Sequence, residues 1–200
     1  MRKSSSLGFT IAEVLVYMGL SSIIFLASYK MLDSSRQVSL VTTTQNELSS
    51  STELLLRTIQ RSADASLNTA FHVSDSSEIL SVQRVSAANS NSESNWESEL
   101  DLFWFDSAEK TILAALLPVA SLSSEPSPVT FLDSDLVSAK SQALTNQKAR
   151  ILTRNVSRLS FEKTPAENLQ IELSLELVSY KGKLEKMNLT KTLLFSKGEI

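Results

Sequence analysis

The 200 residues, 42% of them hydrophobic, suffice for one domain with a core plus an appendage, and exclude a disordered chain. A formal net charge of -3, from 19 Lys and Arg against 22 Asp and Glu with no basic block, lacks the electrostatic footprint of a nucleic-acid binder, so no direct nucleic-acid binding is expected. With Cys 0, His 1 and Gly 4, the chain cannot build a disulfide framework, a thiolate or multi-histidine metal centre or a glycine-rich phosphate loop, and no enzyme, metal or cofactor is expected.

Met1 to Gly8 is polar and carries Arg2 and Lys3, and the run from Phe9 to Ala27 is apolar apart from Glu13. As a helix this run is about 28 Å long at about 1.5 Å per residue, enough to cross a bilayer. The two cations before it place the N-terminus inside and the remainder of the chain outside the cytoplasm. A cleaved secretory signal, a plain anchor and a buried core helix compete with this reading. Leu26-Ala27-Ser28-Tyr29-Lys30 offers no A-x-A-like cleavage site. A plain anchor gives no reason for Glu13, one turn inside the run, where a carboxylate costs up to about 3 kcal/mol near the bilayer centre. A cut between Gly8 and Phe9 would create an amine four residues before Glu13, one helical turn away, on the same chain or a neighbouring one. Such a pair, about 4 Å apart at an effective dielectric near 20, gains about 4 kcal/mol and offsets the insertion cost.

The stretch Gly8-Phe9-Thr10-Ile11-Ala12-Glu13-Val14-Leu15-Val16 resembles the class III signal of type IV pilins and pseudopilins: basic leader, Gly before the cut, Phe after it, Glu at the fifth mature position, unbroken apolar helix. The resemblance implies removal of residues 1–8 by a membrane-embedded prepilin peptidase, N-methylation of Phe9, and an assembly role for Glu13. It further implies a helix over 9–32 held in the cytoplasmic (inner) membrane or the filament core, and an extracytoplasmic pilin-like domain over 33–200. Major pilins commonly carry a Pro toward the end of the apolar run and a cysteine pair or calcium loop further on. Residues 20–32 contain no Pro and the chain has neither later feature, which points to a minor subunit.

Beyond the apolar run, residues 31–62 lack Gly and Pro, and Val38, Val41, Gln45, Leu48, Thr52, Leu55 and Ile59 form a stripe at helical spacing. One helix is therefore expected from about Thr10 to Arg61, ending in Ser62-Ala63-Asp64-Ala65-Ser66, with Glu53 and Arg57 paired at i, i+4. The stripe from Leu48 to Ile59 reads as core packing. Ile79 to Val85 reads as a strand and Ala87 to Asn95 as a polar loop. Leu100, Leu102 and Trp104 alternate with Asp101, Phe103 and Phe105, a strand apolar on both faces toward its end. A turn over Asp106 to Lys110 leads to a strand from Thr111 to Leu117 stopped by Pro118, with Ser121 to Pro128 as a connection.

Val156, Leu159 and Phe161 mark a further strand. Leu169, Ile171, Leu173, Leu175 and Leu177 alternate with Gln170, Glu172, Ser174 and Glu176, a strand with one buried face. A tight turn at Lys181-Gly182 returns the chain as its partner over Lys183 to Phe195. A long helix followed by an antiparallel sheet is an α+β fold. Leu54 to Arg61 and Ile151 to Phe161 resemble the leucine-rich helix end and the last-hairpin entry of the J-type minor pseudopilins of type II secretion and the PilW-like minor pilins. That resemblance implies partnership with other minor pilins, and with the major pilin, in a tip complex that primes filament assembly. The alternative is a signal-anchored extracytoplasmic adhesin or binding module.

Other residues carry groups capable of chemistry. His72 lacks a G-x-S-x-G serine elbow and reads as a solvated loop or surface histidine. Asp133 and Asp135 fall short of a calcium loop. Trp96, Phe103, Trp104 and Phe105 fit a core strand better than a glycan-stacking surface.

Overall fold

A computed structural model describes residues 10–88, 94–122, 128–178 and 184–195. The chain divides into two units, Met1–Thr44 and Gln45–Ile200. One helix, α1 (Ile11–Asp64), begins in the first and ends in the second. Its sequence contains no Pro and a single Gly, Gly19, so nothing in it interrupts the backbone ladder. Several of its Ser and Thr residues, which compete with helix elsewhere, turn their hydroxyls back along the axis: Ser22 donates to the Met18 carbonyl at 2.8 Å, Thr43 to Ser39 at 2.9 Å and Thr52 to Leu48 at 2.8 Å.

The second unit continues with β1 (Ser66–Val73), β2 (Ile79–Ala88), β3 (Ser94–Asp106), β4 (Thr111–Pro118), α2 (Asp133–Thr145), β5 (Arg150–Thr153), β6 (Val156–Lys163), β7 (Leu169–Val178) and β8 (Leu184–Leu193). Two antiparallel sheets result, one in the order β1-β2-β3-β4-β5 and one in the order β6-β7-β8. The architecture is the expected α+β: a long N-terminal helix that is apolar at its start, followed by antiparallel sheet.

The strand patterns explain how the layers meet. On β3, Leu100, Leu102 and Trp104 face one core cluster, with Ile79 of β2, Leu117 of β4, and Leu136, Ala139 and Ala143 of α2. Phe103 and Phe105, one residue out of phase, face the other cluster, with Leu80 and Val82 of β2. The five-stranded sheet is therefore apolar on both faces, and α2 covers one of them. The opposite cluster gathers Leu48, Leu55, Ile59 and Ala63 of α1 with Leu159 and Phe161 of β6 and Leu169, Ile171, Leu173 and Leu175 of β7. Phe71 of β1 stacks on Phe195, which follows β8, at 4.2 Å between ring centroids, tying the two sheets together. Ser62 adds a polar tie, donating from Oγ to Asp101 Oδ2 at 2.7 Å. Gln83, buried on β2, joins β3 to the segment before α2: its Nε2 donates to the Glu97 carbonyl at 3.0 Å and its Oε1 accepts the Val129 N–H at 3.2 Å.

Most expected elements stand where the periodicity places them, including the helix end, the two-faced β3, and β7 with one buried face. The Lys181-Gly182 turn lies outside the described residues. The loop expected from Ala87 to Asn95 is corrected at its two ends, where β2 runs to Ala88 and β3 starts at Ser94, with Ala87 paired to Asn95 and Ala88 to Ser94; residues 89–93 lie outside the described residues. Backbone pairing carries the hairpin beyond its apolar part, where the side-chain pattern gives no strand signal. The sheet also divides in two where one had been expected, and β1, α2 and β5 are additions that periodicity did not disclose.

Leu55 is 0% exposed and sits where α1 meets both sheets. Leu55→Ala is expected to destabilise the protein by about 2–5 kcal/mol through lost burial and a residual cavity. Val137→Ala, on the exposed side of α2, should change stability by less than about 0.5 kcal/mol. Urea unfolding followed by the fluorescence of the buried Trp104 measures both.

Candidate functional site

The candidate site residues at the N-terminus are Gly8, Phe9 and Glu13. Gly8 and Phe9 lie outside the described residues. Glu13 is the third residue of α1, and Thr10 immediately precedes the helix. The Thr10 N–H donates to Glu13 Oε2 at 2.9 Å, the Thr10 hydroxyl donates to the same oxygen at 3.0 Å, and the Glu13 N–H donates to Thr10 Oγ1 at 3.3 Å. This reciprocal arrangement is a capping box, in which an N-cap Thr and the Glu three residues later satisfy each other's backbone donors. The carboxylate also sits at the positive end of the helix dipole. Glu13 thus has an intrachain partner that the sequence reading had not given it, although Thr10-x-x-Glu13 is the signature of that motif. Only Oε2 is used, and Oε1 makes no hydrogen bond among the described residues.

The surface that follows is apolar and uncovered. Every residue from Thr10 to Leu32 is exposed, with Ile11 at 82% and Phe25 at 76%. α1 contains an 18-residue window of mean hydropathy 1.9 with 0% of it buried, long and apolar enough to cross a membrane. Contiguous exposed apolar surface on this scale marks contact with lipid or with other proteins.

The remaining candidates occupy structural positions. Asp135 Oδ2 accepts the Leu132 N–H at 3.0 Å at the start of α2, and Asp133 Oδ1 accepts the Asp75 N–H at 2.9 Å. Both carboxylates serve backbone donors, Asp135 within its own helix start and Asp133 across to the turn after β1, and no group of three or more His, Cys, Asp and Glu able to hold a metal occurs among the described residues. Trp104, at 0% exposure, and Phe103, at 1%, belong to opposite core clusters.

The reading of His72 as a solvated loop or surface residue is corrected. It lies in β1, opposite Ser81 of β2, half-buried with its ring edge-on to Phe131 at 5.7 Å. A lone histidine in an irregular stretch showed no periodicity that would have buried it.

Comparison with known proteins finds no family model that matches the chain, no match among curated proteins and none among solved structures. The functional reading therefore rests on the chain's own residues.

Burial lowers the His72 pKa from its ordinary 6.5, the nearby Lys163 lowers it further, and a backbone hydrogen bond with Val129 opposes them. The folded protein then holds a proton on this ring less readily than the unfolded chain does. The stability that the neutral ring provides is complete above the ordinary value of 6.5 and is lost as pH falls through it toward the folded value. The unfolding midpoint is expected to drop between about pH 7.5 and about pH 5, and His72→Phe should show a smaller drop. Thermal unfolding of both proteins across that range measures the difference.

Proposed function

We propose that this chain is a minor pilin or pseudopilin, a structural subunit of a type IV filament or type II secretion pseudopilus. The observation that carries the proposal is the uncovered apolar surface from Thr10 to Leu32, entered through the Thr10–Glu13 capping box directly after the Gly8-Phe9 junction. The α+β layout, with the end of the same helix built into a sheet core, agrees with it.

In this reading the precursor inserts once through the cytoplasmic membrane, with Arg2 and Lys3 inside and the sheets outside. Prepilin peptidase removes residues 1–8, and N-methylation of Phe9 follows. The cut leaves a cationic amine one residue before Thr10 and four before Glu13. The capping box fixes Glu13 through Oε2 and leaves Oε1 to receive that amine, from this chain or from a neighbouring subunit entering the filament. Such a contact supplies register, because a buried carboxylate is tolerated only where a cation meets it. The domain beyond the membrane meets other minor pilins and the major pilin in a complex that primes assembly.

Intact mass and N-terminal sequencing of the membrane-extracted protein test the processing. The expected wild-type chain begins at Phe9, and Gly8→Val is expected to remain uncut, because a side chain obstructs the peptidase where Gly does not. A wild-type chain that keeps Met1 to Gly8 in a cell containing the peptidase contradicts the proposal. Glu13→Ala and Glu13→Gln are both expected to insert in the membrane yet to fall in filament incorporation, since neither carries the charge. Equal incorporation of wild type and both variants would show that Glu13 serves only as a helix cap.

A further inference from the structure

A cleft of about 520 Å³ opens in the second unit, where the end of α1 lies beside β2, β3 and β4 and the start of β5. Its volume falls in the range of ligand sites, about 300–1,000 Å³. One carboxylate, Asp101, lines it and is already engaged: Asp101 Oδ2 accepts from Ser62 Oγ at 2.7 Å and lies 3.0 Å from Arg84 Nε. Arg84 in turn reaches Glu97 at 3.1 Å, so Asp101 and Glu97 together balance the Arg84 charge.

Three further cations line the same cleft from separate places in the chain: Arg61 from the last turn of α1, Lys148 from the loop after α2, and Arg150 from β5. All three are exposed, and none forms an ion pair among the described residues. In a chain of net charge -3, this convergence of unpaired positive charge on one concave site is a local inversion of the overall balance. Part of the wall is aliphatic. Leu54 is 56% exposed and Leu116 38% exposed, and both line the cleft.

We propose that the cleft binds a carboxylate carried on an aliphatic body, with Arg61, Lys148 and Arg150 taking the charge and Leu54 and Leu116 taking the methylenes. Guanidinium groups suit carboxylates because their donors match both oxygens, and arginine already meets carboxylate on the cleft wall, where Arg84 Nε lies 3.0 Å from Asp101 Oδ2. The same chemistry is offered by a small free dicarboxylate and by the glutamate side chain of a protein segment. The site depends on neither the membrane segment nor the processing junction.

The test uses the full chain in detergent, titrated calorimetrically with glutarate, with a blocked leucine–glutamate peptide and with inorganic phosphate. Saturable binding of glutarate or the peptide is expected, weakening as salt rises. Arg61→Gln, Lys148→Gln and Arg150→Gln should each weaken it about fivefold, the size of one partly exposed charge pair. Leu116→Ser should weaken both carboxylate ligands and leave phosphate unchanged. Tighter binding of the peptide than of glutarate supports a protein segment as the source, and the reverse supports a small free acid. Unchanged thermal unfolding of the variants separates loss of binding from loss of fold. The proposal is overturned if neither carboxylate saturates, if the charge variants bind as wild type does, or if phosphate binds as tightly as glutarate.

Discussion

Apolar side chains such as Ile11, Ile23, Ile24 and Phe25 forgo about 1.5–3 kcal/mol each when they face water instead of an apolar medium. The run from Thr10 to Leu32 exposes such residues on nearly every side of one helix. Amphipathicity would let a helix rest against a protein core, but this segment has only a narrow polar stripe through Thr10, Glu13, Tyr17, Ser21 and Ser28 to turn outward. The rest of the structure has to accommodate that constraint. A helix can do so because it satisfies its own backbone hydrogen bonds in lipid, and the Ser22 hydroxyl, bonded to the Met18 carbonyl, needs no water either. Further along α1 the requirement reverses. Leu48, Leu55, Ile59 and Ala63 recur on one side and enter a core shared with both sheets. A single uninterrupted element is thus apolar nearly all round at its start and one-sided at its end.

The one carboxylate in the apolar part follows the same logic. At the beginning of α1, Glu13 meets the orphan N–H groups that every helix leaves at its start, and Thr10 completes the reciprocal bonds. The cap and the proposed assembly contact are not rivals. The cap uses Oε2 and fixes the direction of the carboxylate, while Oε1 remains for a cation. Because Thr10 stands between the Gly8-Phe9 junction and the helix, the group that caps α1 lies within one turn of the amine that cleavage would create.

Legibility in the sequence followed how strongly each element commits its faces. The alternation in β7 places Leu169, Ile171, Leu173 and Leu175 in the core, and the double apolar pattern of β3 correctly anticipated a sheet covered on both sides. The helix end was visible because Leu55 and Ile59 stand at helical spacing. β1 was hidden because its pairing with β2 is irregular between Ser66 and Phe71, which breaks the alternation that would reveal a strand. α2 buries only Leu136, Ala139 and Ala143, and two alanines give little periodic signal. Its first-turn acids, Asp133 and Asp135, look like oxygen ligands in the sequence, whereas Asp135 caps the start of the helix and Asp133 accepts the distant Asp75 N–H. β5 has four residues and one buried side chain, too little to read. At the candidate site the Glu was evident from its charge in an apolar run, while its Thr10 partner is legible only through the short Thr-x-x-Glu capping motif.

The absence of cysteine, with Cys 0, makes the central claim directly measurable, since any introduced thiol is the only one present. Ile24→Cys lies in the exposed apolar run and Ser141→Cys on the exposed side of α2. Intact cells or right-side-out vesicles carrying each variant are treated with a membrane-impermeant maleimide, before and after detergent. The account predicts that Cys at 141 reacts from outside without detergent and that Cys at 24 reacts only once the membrane is dissolved. Equal reaction at both positions in intact membranes would contradict it, because the surface from Thr10 to Leu32 would then lie in water.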